Sequence, residues 1–108
     1  MIQAVIKEKA KRINAYVISG HAESGEYGHD VVCAAVSVLG ITTANNLYKL
    51  AIVKPIAEMK EGYLSIEIPL TLSKRQEEIS QILLLAFQNA MQEVAAEYGD
   101  YIELIIEK

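Results

Sequence analysis

The stretch Gly20–Ser37 reads GHAESGEYGHDVVCAAVS, and its reading decides how the chain divides into elements. Its first half is punctuated by Gly20, Gly25 and Gly28 and reads as a loop. Its second half, from Asp30 onward, reads as the start of a helix. Asp is a favoured N-cap because its carboxylate accepts from amides two or three residues on. Both histidines of the chain, His21 and His29, and its single cysteine, Cys33, fall in this stretch. With Asp30 as the cap, Cys33 would stand in the first helical turn, where the helix dipole favours negative charge.

Upstream of the loop, Ile2–Lys7 alternates, with Ile2, Ala4 and Ile6 on one face, which is a strand pattern. A charged turn over residues 8–12 leads to a second strand, Ile13–Ser19, and the two read as a hairpin. Downstream, the first helix is expected from Asp30 to about Leu47, with Val32, Val36, Leu39 and Leu47 as its core stripe. Beside that stripe Cys33, Ser37, Gly40 and Ala44 form a line of small residues, which suits either tight packing or a groove. Leu50–Met59 reads as a third strand interrupted by Pro55, hence an edge or a bulge. Lys60–Gly62 is a turn, and Tyr63–Ile68 alternates as a fourth strand. Ser73 and Gln76 have capping-box spacing and open a second helix. Its expected apolar stripe is Ile79, Leu83, Phe87, Ala90 and Val94, with Gly99 as a left-handed residue after its end. Tyr101–Glu107 is the last strand. The order ββαββαβ predicts a single α+β domain over residues 1–108, a mixed β-sheet packed with two helices.

The length of 108 residues allows one domain with a real core. A formal net charge of −4 argues against a surface built to hold a phosphate backbone and suits a basic peptide. One cysteine forbids an internal disulfide and fits a reducing compartment. The N-terminus lacks the apolar region of a signal peptide. The densest apolar run, Ile82–Phe87, is too short to span a membrane. A soluble, cytoplasmic protein with no membrane partner is the expectation.

A lone cysteine is more often a small buried hydrophobe than a nucleophile. A thiol at a helix start, beside a flexible loop and within reach of imidazole, has the setting that nucleophilic catalysis needs. His21, at the end of a strand, has a more rigid mount than His29 within the loop, which favours it as the base and leaves His29 a rival. Asp30 reads as a cap or as a group that orients the imidazole. His21, His29, Asp30 and Cys33 are all permissible zinc ligands. Their spacing matches no CxxC, HxxxH or HExxH pattern, so no metal or other cofactor is expected. No phosphate-binding glycine pattern is present either.

Gly20-His21-Ala22, then Gly28, then Asp30-Val31-Val32-Cys33-Ala34-Ala35-Val36-Ser37 resembles the signature of the ribosomal-processing cysteine proteases called Prp. The ββαββαβ order resembles that family over nearly the whole chain. The resemblance implies a cysteine endopeptidase with a Cys-His dyad, Cys33 as nucleophile and His21 as base. Gly20, Ala22, Gly28, Asp30 and Ser37 match motif positions and would bind substrate or support the dyad. The implied substrate is the short N-terminal extension of a large-subunit ribosomal protein, cut after aromatic residues and before alanine, which serves ribosome maturation. The resemblance further implies a homodimer and a mobile loop, Ala22–Gly28, over the site. The other reading is a noncatalytic ribosome-assembly or peptide-binding module on the same fold.

Overall fold

The structure, a computed structural model, describes residues 1–20 and 27–108, with the backbone alone for 27–30. Ile2–Lys9 (β1) and Arg12–Ser19 (β2) form the expected hairpin. Ala10 and Lys11 link them, both at positive φ (54° and 64°). Such a two-residue turn matches the right-handed twist of the strands it joins. Tyr27–Lys49 (α1) follows, then Ile56–Lys60 (β3), Tyr63–Glu67 (β4), Lys74–Glu97 (α2) and Ile102–Glu107 (β5). The single five-stranded sheet has the order β3-β4-β2-β1-β5. β5 pairs parallel with β1, and the other neighbours are antiparallel. The mixed sheet, the two helices and the ββαββαβ order are those expected from the pattern.

The inward alternation of β1 holds: Ile2, Ala4 and Ile6 are buried, opposite Ile102, Leu104 and Ile106 of β5. From α1, Val32, Val36 and Leu47 are fully enclosed, and Leu39 packs against the same core. The Tyr16 ring lies 4.2 Å from that of Phe87, joining β2 to α2. Its hydroxyl donates to the Gly40 carbonyl of α1 at 2.6 Å. Burial pushes the Tyr16 phenol well above its ordinary range and outweighs the backbone hydrogen bond at Ala44, which acts the other way.

Four sequence expectations are corrected. First, α1 begins at Tyr27, not Asp30. Gly28 is a poor helix former and no Ser, Thr, Asn or Asp immediately precedes Tyr27, so the pattern hides the start. Second, Leu50–Pro55 is not strand. Ala51 and Val53 are buried and mimic alternation, yet the Leu50 and Val53 amides donate to the Asn46 and Leu47 carbonyls. The terminal carbonyls of α1 thus take the donors a strand would need. Pro55 stands just before β3, which lies at a sheet edge as expected.

Third, the fully buried line on α2 is Ser80, Leu84, Phe87 and Met91; of the expected stripe only Phe87 is on it, while Ile79, Leu83 and Val94 are partly buried against the same core. The helix meets two neighbours. It covers the sheet with this line, and Leu83 and Ala90 lie in a groove against Leu39 and Thr43 of α1. Fourth, Gly99 follows α2 as expected but is not left-handed. The helix closes at Tyr98 (φ −119°, ψ 37°), whose amide donates to the Val94 carbonyl at 2.8 Å.

The length and composition of α1 also matter, because from Val31 to Tyr48 it carries no charged residue. By those measures alone it could cross a membrane. Here Val32, Val36 and Leu47 pack one side of it into the core.

The capping box is present as the sequence predicts. The Gln76 amide donates to Ser73 Oγ at 3.1 Å and the Ser73 amide to Gln76 Oε1 at 2.9 Å. Gln76 Nε2 also donates to the Ile52 carbonyl at 2.7 Å, which ties the start of α2 to the segment after α1. Ser73→Ala should cost about 1 kcal/mol. In a domain of this size that is a fall of roughly 4–8 °C in thermal midpoint. An unchanged midpoint would mean that the first turn of α2 is not held by its cap.

Candidate active site

Four chain segments meet at one end of the sheet. The Ile2 amide donates to the Tyr101 carbonyl, and the Gly20 amide donates to the Gly62 carbonyl, each at 3.0 Å. The starts of β1 and β5, the end of β2 and the β3–β4 turn are thereby held together. Gly20 has φ +106°, and a Cβ there would overlap the Met1 carbonyl oxygen, so only glycine fits. Gly62 (φ 70°) makes the β3–β4 turn.

The early part of α1 lies across this end and leaves a groove. Cys33, Ser37 and Ile41 form one wall, and Met59 and Tyr63 of the β3–β4 hairpin form the other. Ile18 and Gly20 lie on its floor. Cys33 is a free, half-buried thiol and Ser37 is exposed one turn further on. The line of small residues on α1 therefore divides its work. Cys33 and Ser37 border open space, whereas Gly40 is buried where a Cβ would meet the ends of Ile18 and Leu64 at 2.8 Å. Packing and groove, the two readings of that line, each hold for half of it.

Gly28, His29 and Asp30 lie in the first turn of α1. His21 and Ala22 lie outside the described residues, as does most of the Ala22–Gly28 loop. Asp30 is inside the helix and is not its cap. Cys33 is the seventh helical residue, at the end of the second turn. Its own amide bonds back within the helix, and the free amides at the helix start lie at least four residues, about 6 Å, up the axis. A first-turn thiol beside unpaired amides is thus replaced by a thiol set in a groove wall. Among the described residues no three His, Cys, Asp or Glu side chains cluster to hold a metal ion.

The sequence reading did not anticipate Met59 and Tyr63 as the facing wall. They stand 26 and 30 residues after Cys33, and only the strand order carries their hairpin beside β2 and under α1. No spacing signal could reveal them.

The sequence model of the cysteine protease Prp family matches residues 1–103. The chain belongs to this family. A ribosomal processing cysteine protease Prp from Bacillus subtilis (strain 168) is 30% identical over 103 residues, covering 93% of this chain and 92% of the relative. A crystal structure from Streptococcus mutans superposes with a TM-score of 0.89 at 33% identity, over 99% of this chain and 94% of that one. The essential ribosomal processing protease Prp from S. aureus, solved with a covalently linked product peptide, has a TM-score of 0.83 at 25% identity. That match covers 99% of this chain and all of the other. The chain is accordingly a cysteine protease, and Cys33 is its only cysteine.

Proposed function

We propose that residues 1–108 form one cysteine protease domain that removes the short N-terminal extension of a large-subunit ribosomal protein in the cytoplasm, cutting after an aromatic residue. The observation that carries this reading is the single thiol, Cys33, set in the wall of a groove between α1 and the β3–β4 hairpin. The groove has apolar side chains, Ile18, Ile41 and Met59, that suit an aromatic side chain, and it is open at the surface so that a peptide can enter. The ribosomal-processing names of the relatives supply the substrate class.

Cys33 acts as the nucleophile and His21 as its base. The thiolate attacks the scissile carbonyl, and the imidazolium gives its proton to the leaving amine. Water, deprotonated by the same imidazole, then hydrolyses the thioester and restores the thiol. No metal or cofactor enters these steps. Mass spectrometry of a peptide carrying the extension, incubated with the protein, tests the reading. Two fragments joined at an aromatic residue are expected, and an intact peptide would overturn it.

The same reading includes a homodimer. Val38 is 62% exposed on the face of α1 turned from the sheet, next to Ile41, and Ile82 and Leu85 are exposed on α2. Apolar residues on two adjacent helices form a surface that a second copy would cover. Val38→Glu should therefore yield monomer by sedimentation at micromolar concentration. A wild type that is itself monomeric there would remove the dimer from the proposal.

A further inference from the structure

All ten lysines and arginines lie in the described part of the chain, and the topology gathers nine of them at one end. β1, β5 and α1 all run away from the Cys33 groove, and α2 starts at the far end. Contacts fix this arrangement. Arg12 pairs with Glu77, Gln81 Nε2 donates to the Ile13 carbonyl at 2.8 Å, and Lys7 stands opposite Glu107. The β1–β2 hairpin brings Lys7, Lys9, Lys11 and Arg12 to this end. The end of α1 and the connection after it bring Lys49 and Lys54, the start of α2 brings Lys74 and Arg75, and the chain closes at Lys108. Only Lys60 lies at the groove end, where Glu61, Glu93, Glu97 and Asp100 are found.

Nine cations stand against five carboxylates at the far end (Glu8, Glu67, Glu77, Glu78 and Glu107), a formal charge of +4 within a chain of −4. All nine cations are exposed, and among the described residues only Arg12 has an ion-pair partner. Gathering like charges costs self-repulsion, which scattering them among the fourteen acidic residues would avoid. The net charge that argued against a nucleic-acid partner averages over this separation.

We propose that the basic end docks on the phosphate backbone of RNA, with the Cys33 groove about 24 Å away along α1. Seven of the nine cations are lysine, a point charge that meets phosphate without a fixed orientation, which suits binding indifferent to sequence. Tyr48, 62% exposed beside Lys49, offers a ring on which an unpaired base can stack. The choice of RNA over another polyanion rests on the ribosomal substrate of the proposed function, since ribosomal RNA would then surround that substrate.

The test uses the full chain and a labelled 20-nucleotide RNA of mixed sequence, followed by fluorescence anisotropy. Binding at 50 mM salt should weaken about fiftyfold at 200 mM, as expected when about four phosphates of a single strand are neutralised. The triple variant Lys9→Glu/Lys11→Glu/Lys74→Glu should lose at least tenfold in affinity, keep its circular dichroism and cleave the isolated substrate peptide as wild type does. Lys60→Glu should bind RNA normally. Absent or salt-independent binding, or an equal loss in Lys60→Glu, overturns the proposal. Equal competition by polyglutamate at matched charge overturns it in favour of an acidic protein partner. RNA binding that follows this pattern in a protein that cuts no peptide would support the surface while removing the protease reading.

Discussion

Cys33→Ala and His21→Ala are each expected to abolish cleavage of the extension peptide while leaving the fold intact. Loss of the thiol removes the nucleophile itself. Loss of a general base costs on the order of 10²–10⁴ in rate, and here the same imidazole would also protonate the leaving amine. Cys33→Ala removes one sulfur atom from a half-buried position on a groove wall, so little packing is lost. His29→Ala should retain most of its activity. A dead His29→Ala with an active His21→Ala would transfer the role of base to His29. Native-state alkylation gives an independent check, because a thiol that borders open space should react without unfolding, whereas an enclosed one should not.

What could be read in the sequence depended on how local its cause was. The Ser73–Gln76 box needs only bonds between residues three apart, and it is present as read. Ile2, Ala4 and Ile6 alternate because a strand has one buried face, and that face is the core. The line Val32, Val36, Leu39 and Leu47 holds because one core takes the whole inner side of α1. On α2 two neighbours decide it, and a single stripe misses Leu84 and Met91. The start of α1 was hidden by Gly28, whose weak helix preference is overridden by the helix that continues through it. At the site, the motif placed Cys33 in chemically rich company. The groove itself exists only because β4 pairs with β2 and brings Met59 and Tyr63 beneath α1, a fact of strand order with no local trace.

Gly20→Ala should lower both stability and cleavage, and by more than the same change at Gly40. At Gly40 the nearest atoms to a new Cβ are the methyl ends of Ile18 and Leu64, which can turn aside. Alanine is also the better helix former by about 1 kcal/mol, so Gly40→Ala should be close to neutral. Gly20 offers neither relief. Its φ of +106° disfavours any side chain, and the obstructing atoms are the Met1 carbonyl and Ile2 Cα, which belong to the start of β1. Backbone strain of about 1–3 kcal/mol adds to the overlap. A fall in thermal midpoint on the order of 15 °C is expected. The change also loosens the Gly20–Gly62 bond, which holds the end of β2 to the hairpin that walls the groove. His21 is the next residue, so a displaced Gly20 displaces the proposed base from Cys33. Cleavage measured well below the new midpoint should therefore drop at least tenfold, an angular and positional effect separate from unfolding. A Gly20→Ala protein that melts early yet cleaves at the wild-type rate at low temperature would show that this corner supports the fold without aiming the imidazole.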